Sequence, residues 1–511
     1  MKIRVSGIEE SWELSVTHLI ELFYEDVTVS YKEMDGKPDL NIEVAVKSGE
    51  AMLTKVKLHD NHSGQTIEKS HSLEAMGDRT ADPDTRKKVK RGISHTLLSV
   101  LQEYTGMEQP WGILTGVRPT KLMHRKLQQG EPIERIDREL REDYQVHAEK
   151  IELMEQIVQR QLVAVPDLYQ LKDEVSIYIG IPFCPTKCAY CTFPAYAING
   201  RQGSVDSFLG GLHYEMKQIG AWLKKHQIAI TTVYFGGGTP TSITAEEMDM
   251  LYEEMYESFP SMEKVREVTV EAGRPDTITP EKLEVLNKWG IDRISINPQS
   301  YIQETLKAIG RHHTVEETID KFKLAREMGM NNINMDLIIG LPGEGLSEFM
   351  HTLRETGKLK PESLTVHTLS FKRASEMTQN KEKYKVADRH EITEMMKKAT
   401  EWTGQNGYVP YYLYRQKNIL GNLENIGYTL PGKESIYNIM IMEEAQSIIG
   451  LGCGASSKWV HPATGKISRF ANPKEPKAYN EGYQKYTQAK IDALNQLFGL
   501  GQLLDMANSS Q

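Results

Sequence analysis

The stretch Cys184-Pro-Thr-Lys-Cys188-Ala-Tyr-Cys191 begins one residue after the apolar run 175–182. Cysteine is otherwise rare, since Cys453 is the only further cysteine in 511 residues. Cysteine sulfur is the soft donor that iron–sulfur clusters prefer. A loop that gathers three thiolates therefore suits a [4Fe-4S] cluster in which one iron has no protein ligand and stays open to chemistry.

A structural zinc site is the alternative, and such sites normally close with four Cys or His ligands. His213 is the only histidine between residues 175 and 225, and no fourth cysteine lies within twenty residues of the motif. Zinc would therefore need a distant donor. A disulfide framework fits less well, because four cysteines in so long a chain without a secretory leader point to a reducing compartment.

The composition is that of an ordinary globular chain, with 39% hydrophobic and 26% charged residues, and the length allows two to four domains. The first residues contain no apolar signal segment, and no run of about 18 apolar residues occurs, so a cytoplasmic location is expected. The net charge of −9 argues against nucleic acid as the main partner. The basic run 86–91 is then expected to be a solvated face, with an anion site as the alternative.

From residue 175 onward, short β-branched runs alternate with segments of helical periodicity, which is typical of βα units on a parallel sheet. The predicted strands are 176–182, 232–235, 267–271, 293–297, 332–339 and 363–368. The predicted helices between them are 204–225, 245–258, 280–289, 314–328 and 346–358. This α/β pattern predicts a partial (β/α)6 parallel barrel with reactive groups at the C-terminal ends of its strands. A doubly wound open sheet is the alternative that spacing alone does not separate.

The remaining residues predict two further regions. Residues 1–165 contain strand-like runs at 2–6, 40–47 and 51–59 and then helices, which indicates an N-terminal α+β domain of unknown role. Residues 170–400 form the predicted barrel core. Residues 401–511 are a small mixed C-terminal region, with a run at 446–457 and a final helix near 483–497, and we expect this region to cover the substrate.

Glycine is concentrated at Gly236-Gly237-Gly238-Thr239-Pro240, directly after the second predicted strand. Glycine permits positive φ and a close approach of the backbone to a ligand, so the exposed N–H and C=O groups suit a small zwitterion. A simple tight turn is the alternative. Its place beside the cysteine loop favours the ligand-binding interpretation.

Three polar residues mark the neighbouring strands. Glu271 ends the third predicted strand, Gln299 follows the fourth, and Asp336 lies within the fifth. Acidic and amide groups in otherwise apolar strands are costly to bury without partners. We therefore expect them to face a polar ligand at one mouth of the barrel.

In this pattern the chain resembles the radical S-adenosylmethionine (SAM) superfamily and, within it, the oxygen-independent coproporphyrinogen III oxidase (dehydrogenase) family. The features that carry the resemblance are, in chain order, Tyr178, the CxxxCxYC loop, GGGTP, Glu271, Gln299, Arg311 and Asp336. The resemblance covers roughly residues 175–460. The first 165 residues are similar to the extension of a longer bacterial type, as the segment Trp111-Gly-Ile-Leu-Thr-Gly-Val-Arg-Pro-Thr120 suggests.

The resemblance implies an oxidoreductase of heme biosynthesis that converts coproporphyrinogen III to protoporphyrinogen IX by oxidative decarboxylation. A 5′-deoxyadenosyl radical from SAM would be the oxidant, and Cys184, Cys188 and Cys191 would hold the [4Fe-4S] cluster. One or two SAM molecules would bind at Tyr178, Tyr190, Gly237, Gly238, Thr239, Glu271, Gln299, Arg311, Asp336 and Ser370. Of these, Thr239, Gln299, Arg311 and Asp336 are candidates for a second molecule. The implied partners are the porphyrinogen and an electron-donating reductase or flavodoxin-like protein.

Arginines are the natural ligands of the four propionates of such a substrate. Arg311, Arg373 and Arg415 are candidates, with a surface position as the expected alternative for the last two. His312 and His313 follow Arg311 and are expected to be solvated.

Phe193 stands where the best-described members of the family carry a further cysteine. The same departure is found in relatives that resemble heme chaperones, so a heme-delivery protein of this family is the alternative function. A radical SAM enzyme that acts on RNA is a third possibility.

The run Gly450-Leu-Gly452-Cys453-Gly454-Ala455 has the spacing of a dinucleotide-binding fingerprint but lacks the βαβ context that the fingerprint needs. It resembles a small-residue stretch in the C-terminal part of the family. Cys453 is predicted to be a small buried residue rather than a ligand.

Overall fold

The structure is a computed structural model that describes residues 1–24, 26–33, 36–47, 51–74, 83–193, 195–198, 204–370, 375–380, 383–416, 419–462 and 464–499. The chain divides into two compact units, Met1–Glu155 and Gln156–Gln511. Arg373, a predicted propionate ligand, lies outside the described residues.

The first unit is an α+β fold. Its strands are β1 (Lys2–Ser6), β2 (Thr28–Ser30), β3 (Leu40–Lys47), β4 (Ala51–Asp60) and β5 (Thr66–Glu74), in the sheet order β2-β1-β3-β4-β5. Its helices are α1 (Glu10–Ile20), α2 (Pro83–Thr105), α3 (Thr120–Gln128) and α4 (Ile133–Glu142), and α5 (Ala148–Ala164) contains the division between the units. The core forms where one face of the sheet meets α1 and α2, because alternate residues such as Ile3, Val5 and Ile42 are buried there.

The second unit is built on one large sheet. Its strands are β6 (Val175–Ile181), β7 (Phe183–Cys184), β8 (Tyr196–Ala197), β9 (Ile230–Gly237), β10 (Glu267–Glu271), β11 (Arg293–Ser295), β12 (Ile333–Ile339), β13 (Ser363–Thr368), β14 (Val409–Tyr414), β15 (Asn425–Thr429), β16 (Ser447–Gly452), β17 (Ser456–Val460) and β18 (Ile467–Ala471). The sheet order is β14-β15-β13-β12-β11-β10-β9-β6-β16-β17-β18, and β7 pairs separately with β8.

The helices of this unit follow the strands in alternation. They are α6 (Val205–His226), α7 (Ala245–Ser258), α8 (Pro280–Lys288), α9 (Gln303–Ala308), α10 (Val315–Glu327), α11 (Leu346–Leu359), α12 (Glu376–Gln379), α13 (Arg389–Gln405), α14 (Ile436–Glu443) and α15 (Pro476–Leu497). Side-chain caps define several helix starts. Thr244 accepts a hydrogen bond from the N–H of Glu247 and forms a capping box with it at α7, and Ser204 caps α6 by accepting from the N–H of Ser207.

Strands β6 and β9 to β13 run parallel and stand side by side in their order along the chain. A doubly wound sheet would reverse this order at a switch point, so the partial barrel is confirmed and the alternative is excluded. The final helix is longer than predicted, because it begins at Pro476 instead of near residue 483.

One face of the parallel sheet is polar. On β10, the polar residues Glu267, Thr269 and Glu271 alternate with two valines, and neighbouring strands show the same alternation. The apolar face packs on the helices, as the edge contact of Phe235 in β9 with Tyr252 in α7 shows at 5.2 Å. Because side chains alternate between the faces of a strand, the polar residues line the inside of the barrel.

The C-terminal residues complete the same sheet. Strand β15 adds to β13 in the antiparallel sense, and β16 pairs in parallel with β6, joining Ser447 to Val175 and Gly452 to Gly180. Strand β16 then turns directly into the antiparallel β17 and no helix follows it. The run 450–455 therefore lacks the context of a dinucleotide site, as predicted. Cys453 is buried, as predicted.

A fully buried ion pair anchors this last part of the sheet. Lys490 of α15 donates hydrogen bonds to a carboxylate oxygen of Glu215 in α6 and, at 2.7 Å, to the carbonyl of Gly450. Glu215 also accepts from the N–H of Gly452 and from the hydroxyl of Tyr479, each at 2.7 Å. The pair thus joins two helices to the end of β16.

No helix within the described ranges is long and apolar enough to cross a membrane.

Replacing Lys490 by alanine is expected to lower the free energy of unfolding by about 3–5 kcal/mol, because Glu215 would be left as an unpaired buried charge. Urea denaturation of the variant and of the native chain measures the difference. The exposed Lys485 of the same helix provides the control, and K485A should change stability by less than about 0.5 kcal/mol. Equal stability of K490A and K485A would contradict the anchoring role.

Candidate functional site

The site begins at a close contact between two stretches of backbone. The N–H of Gly238 donates to the carbonyl of Ile181 at 2.8 Å, and a Cβ at position 238 would lie 2.6 Å from the carbonyl oxygen of Phe183. Gly237 has a φ of +109°. Only glycine fits both positions without strain. The glycine turn therefore packs directly against the residues that lead into the cysteine loop.

This contact places Thr239 beside the first cysteine, with 3.3 Å between its hydroxyl oxygen and the sulfur of Cys184. No disulfide joins any of the described cysteines, and Cys184 is buried while Cys188 and Cys191 are partly exposed. Burial raises the pKa of Cys184 to about 11; Thr239 opposes this, and Cys191 and Cys188 add to it as thiolates. A bound positive centre would favour the thiolate form of these cysteines.

The three loop cysteines are the candidate ligands of a cluster. A [4Fe-4S] cluster takes thiolates at separate corners, so three cysteines leave one of its four irons without a protein ligand. Among the described residues, no group of three or more Cys, His, Asp or Glu side chains is arranged to hold one metal ion.

The cysteine loop is held from outside by the turn that follows α9. The N–H of Ala189 donates to the carbonyl of Ile309 at 3.0 Å, and the hydroxyl of Thr186 donates to that of Gly310 at 3.1 Å. Arg274 donates to the Thr186 hydroxyl at 2.9 Å. Backbone and side-chain contacts thus fix the loop on the end of the fourth parallel strand and its helix.

Arg311 lies next to the loop in a buried position, with 2% of its surface exposed. Its guanidinium donates to the hydroxyl of Tyr190 at 3.3 Å and to the carbonyl of Gly273 at 2.7 Å, whereas its Nε has no partner. Tyr190, between the second and third cysteines, is therefore joined to the barrel through this arginine. The free N–H is available to an anionic or carbonyl group of a ligand.

Two expectations about polar neighbours were wrong. His313 is 2% exposed rather than solvated, and burial together with Arg311 lowers its pKa to about 3, so that its ring is neutral. Arg415 is 5% exposed rather than on the surface. His313 lies in the turn between α9 and α10, and Arg415 directly follows β14 and donates to the side-chain oxygen of Asn422 at 2.6 Å. His312 is exposed, as expected.

Three tyrosines stack on the inner face of the barrel. The rings of Tyr234 in β9 and Tyr437 in α14 lie 4.3 Å apart, and Tyr178 in β6 is 6.1 Å from Tyr234. The hydroxyl of Tyr234 donates to Glu271 at 2.6 Å. A Cβ on Gly236 would lie 3.0–3.2 Å from Tyr234, Tyr178 and Glu271, so the glycine leaves room for this group.

The two carboxyl groups of the site differ in charge. Burial raises the pKa of Glu271 to about 7, and the charge of Asp336 adds to the rise, while the hydrogen bond from Tyr234 opposes it. Burial also acts to raise the pKa of Asp336, but hydrogen bonds from His367 and Asn334 outweigh it and lower the value. Asp336 is therefore ionised at neutral pH, and Glu271 changes charge there.

Gln299 lies on the same edge in an unusual backbone conformation, with a φ of +64°. Its N–H donates to the carbonyl of Asp336 at 2.9 Å, and its carbonyl accepts from Ile338 at 3.1 Å, which fixes the conformation. Such left-handed residues cost about 1–3 kcal/mol and often occur at functional sites. The side-chain oxygen of Gln299 is buried without a partner, so it is available to a ligand.

Sequence reasoning missed several polar residues of this inner face. Asn297 donates to Asp336 at 2.9 Å, His367 lies 3.6 Å from Asp336, and the Tyr414 hydroxyl is 3.1 Å from the other ring nitrogen of His367. Tyr234 was missed as well. The sequence did contain a signal for these residues. A strand that is buried on both faces is normally apolar throughout, so a polar residue in such a strand indicates a polar partner or ligand.

The predicted residues fall into two groups. Thr239 and Tyr190 lie with the cysteine loop, and Glu271, Gln299 and Asp336 lie together at the carboxyl ends of the strands. Ser370 follows β13 and forms an isolated bridge with Ile419 on the rim of the sheet. Thiols, carboxylates and unpartnered donors and acceptors together suit a cluster and a cofactor that carries both amino and carboxylate groups.

Comparison with known proteins agrees with this geometry. Residues 178–356 match the Radical SAM superfamily. The chain is 62% identical over 499 residues to the oxygen-independent coproporphyrinogen-III oxidase-like protein HemZ of Bacillus subtilis (strain 168), covering 98% of this chain and 99% of that protein. The heme chaperone HemW of the same organism is 36% identical over 194 residues, 38% of this chain and 50% of that protein.

The fold has a solved counterpart in coproporphyrinogen III oxidase (HemN) from Escherichia coli, a radical SAM enzyme, with a TM-score of 0.50 and 21% identity. The match covers 64% of this chain and 73% of that one. The protein is thus of the radical SAM class, whose cofactors are a [4Fe-4S] cluster and SAM. Within that class, the chain belongs to the oxygen-independent coproporphyrinogen III oxidase-like family.

The raised pKa of Glu271 predicts a pH-dependent stability. Its carboxyl group titrates near 4.5 in the unfolded chain and near 7 in the folded one, so the folded state holds the extra proton between these values. Stability therefore falls as the pH rises through this window. E271Q has no carboxyl group to titrate, so it should be more stable than the native chain at pH 8 by about 3 kcal/mol, but not at pH 4.

Denaturation at several pH values measures this difference. Glu344, whose pKa burial also raises to about 7, remains in both proteins and leaves a common residual slope. E284Q, on the exposed face of α8, is the matched control and should follow the native curve. Parallel curves for E271Q and the native chain would contradict the charge assigned to Glu271.

Proposed function

We propose that this protein catalyses the oxygen-independent oxidative decarboxylation of coproporphyrinogen III to protoporphyrinogen IX in heme biosynthesis, in the cytoplasm. The observation that carries the proposal is the convergence of Glu271, Gln299 and Asp336 on the inner face of the barrel, where Glu271 also accepts from the backbone of Gly237 in the glycine turn. Similarity along nearly the whole length to a coproporphyrinogen-III oxidase-like relative supports it.

Cys184, Cys188 and Cys191 would hold the cluster. When bound, the cluster and SAM would supply the one-electron chemistry that removes a hydrogen atom from a propionate side chain. The side chain would then lose carbon dioxide and one electron, which a separate one-electron acceptor would take up, and a vinyl group would remain. Thr239, in contact with Cys184, would hold the first sulfur in orientation.

The inner face of the barrel would position SAM. The carboxylate of Glu271 would accept from its amino group, and the backbone of Gly237 and Gly238 would line its methionine portion. Asp336 and Gln299 would accept hydrogen bonds from its hydroxyl groups. Asp336 is suited to this because Asn297 and its other donors keep it ionised and oriented.

The remaining candidates would shape the ends of the site. Tyr178 and Tyr190 are partly buried aromatic side chains that would help to exclude water from the reaction. Arg311 and Arg415 are the buried cations that suit carboxylates, whether of SAM or of a propionate. Ser370 and residues 401–511 would cover the substrate from the rim.

Delivery of heme without oxidation is the second candidate. The heme chaperone HemW relative and the presence of Phe193 in place of a fourth cysteine favour it. The two candidates share the cluster and SAM residues, so they differ in the fate of the porphyrin alone.

Serine substitution of the loop cysteines tests the cluster. C184S, C188S and C191S should each lose the visible absorption and the electron paramagnetic resonance signal of the chain reconstituted with iron and sulfide, because serine is a poor ligand of iron–sulfur clusters. C453S is the control. The thiol of Cys453 donates to the carbonyls of Pro473 and Lys474 and does not belong to the cysteine motif, so the variant should keep the cluster. A native signal in the loop variants would refute the assignment.

Product analysis tests the reaction. The reconstituted chain, kept free of air with SAM, dithionite and coproporphyrinogen III, should yield vinyl-bearing porphyrinogens with release of carbon dioxide. D336N should reduce turnover at least about 100-fold through loss of SAM orientation. The oxidase proposal would be contradicted if SAM were cleaved and the porphyrinogen stayed unchanged. Stoichiometric uptake of heme in the same preparation would then support the chaperone candidate.

A further inference from the structure

One buried side chain of the loop after β10 reaches across to the cysteine loop. Arg274 is 4% exposed, and all three of its guanidinium nitrogens donate hydrogen bonds. Its Nε and one terminal nitrogen donate to the two carboxylate oxygens of Asp276, at 3.0 and 2.8 Å. The other terminal nitrogen donates to the hydroxyl and to the carbonyl of Thr186, at 2.9 and 3.2 Å. Thr186 lies midway between Cys184 and Cys188, so the arginine binds the span between two of the predicted cluster ligands.

The hydrogen bonds at Thr186 form a chain with a single direction. A guanidinium group has donors and no acceptor, so the Thr186 hydroxyl must accept from Arg274. The proton of that hydroxyl is then donated to the carbonyl of Gly310, 3.1 Å away in the turn after α9. The chain therefore runs from Asp276 through Arg274 and Thr186 to Gly310. Bonds in such a chain polarise one another, which strengthens each of them in a buried environment.

The loop that carries Arg274 is itself fixed by local contacts. The carbonyl of Arg274 accepts from the N–H and from the hydroxyl of Thr277, at 3.0 and 2.7 Å. Pro275 follows Arg274 and restricts it to the extended backbone conformation that it has here. The carbonyl of Gly273, one residue earlier, accepts from Arg311 at 2.7 Å. Arg274 thus reaches the cysteine loop from a rigid support.

We propose that Arg274 is a positioning residue of the cluster site, which holds the span between Cys184 and Cys188 in the conformation that binds the cluster. The inference rests on the proposed function, since it takes the cysteine loop as the place of the cluster. Arginine suits this role because its planar fork binds a carboxylate with two N–H groups and still directs others at a hydroxyl and a carbonyl, which lysine cannot do. Groups that orient the ligands of a metal centre typically change metal affinity about 10–100-fold.

Hydrogen exchange of the chain without metal tests the positioning directly. The amides of Ala189 and Cys191 in the cysteine loop are protected by backbone hydrogen bonds of 3.0 Å. In R274M and in T186V, these amides should exchange about tenfold faster than in the native chain, because the loop loses a hydrogen bond to a charged group. T186S keeps the hydroxyl group and should exchange at the native rate.

R266M is the matched control for these variants. Arg266 directly precedes β10 and also binds a carboxylate with two nitrogens, that of Asp167, but it lies at the opposite end of the strand. R266M should leave exchange in the cysteine loop unchanged. The double variant R274M/T186V should exchange within about twofold of R274M, because both changes break the same chain. Native exchange in T186V, or additive effects in the double variant, would overturn the proposal.

T186V also guards against a folding defect in R274M, since it leaves the ion pair of Arg274 with Asp276 intact. The side chain of Asp276 is 25% exposed, so water can reach its carboxylate when the arginine is absent. Urea denaturation of each variant shows whether it is folded under the conditions of the exchange experiment. If R274M does not fold, T186V and T186S alone decide the proposal.

Retention of iron separates this inference from the proposed function. After reconstitution with iron and sulfide, R274M and T186V should lose iron to a chelator about tenfold faster than the native chain, whereas T186S and R266M should lose it at the native rate. Native retention in T186V, or an equal loss in R266M, would overturn the role of Arg274 at the cluster. A native chain that binds no iron would refute the proposed function, and hydrogen exchange would still decide whether Arg274 holds the loop.

Discussion

The site depends on one close approach of backbone to backbone, between residues 181–183 and the glycine turn 236–238. The N–H groups of Gly238 and Thr239 donate to the carbonyls of Ile181 and Phe183 at 2.8 and 2.7 Å, and a side chain at 238 would collide with the carbonyl of Phe183. This contact fixes where the first cysteine emerges from the sheet and seats Thr239 against its sulfur. The contact thus places the cysteine loop and the glycine turn at the same edge of the sheet.

The polar interior of the barrel is the second determinant. Its groups are expensive to bury, and most of the cost is offset by pairing within the described residues, as between Tyr234 and Glu271 or Asn297 and Asp336. Asp336 receives enough donors to stay ionised, whereas Glu271 does not. The same low-dielectric environment thus yields one fixed negative charge and one that responds to pH near neutrality. A cationic amino group is the natural complement of such a pair.

Much of this architecture could be predicted from the sequence, because the relevant signals are local. The strand at 267–271 and the helix at 245–258 were predicted to the residue, since β-branched runs and apolar spacings of three and four are read within a few turns. The cysteine loop, the glycine turn and the ends of strands at Glu271 and Gln299 were equally local. The N-terminal strands β2 and β5 were missed, since both are short or strongly polar.

What could not be predicted depends on distant pairings. The stack of Tyr234 on Tyr437 joins residues two hundred positions apart, and the burial of His313 and Arg415 results from loops that only the tertiary fold places. The same holds for β16, which the sequence showed merely as a run of small residues. The spacing of β16 from β6 along the sequence does not predict that the two strands pair. Parallel strands are joined by a long connection, and its length does not determine which residues lie opposite each other.

The pairing of β16 with β6 explains the glycines at 450–454, so no nucleotide site is needed to account for them. A Cβ on Gly452 would lie 2.3 Å from the carbonyl of Gly180, and a Cβ on Gly180 would lie 3.0 Å from that of Cys453. Strand β6 is thus held by glycine contacts on both sides, from β9 and from β16, and the cysteine loop grows from the strand so clamped. The buried pair of Glu215 and Lys490 fixes the outer clamp by binding the end of β16 to two helices. Strand β16 therefore fixes the position of β6, the strand that leads into the cysteine loop.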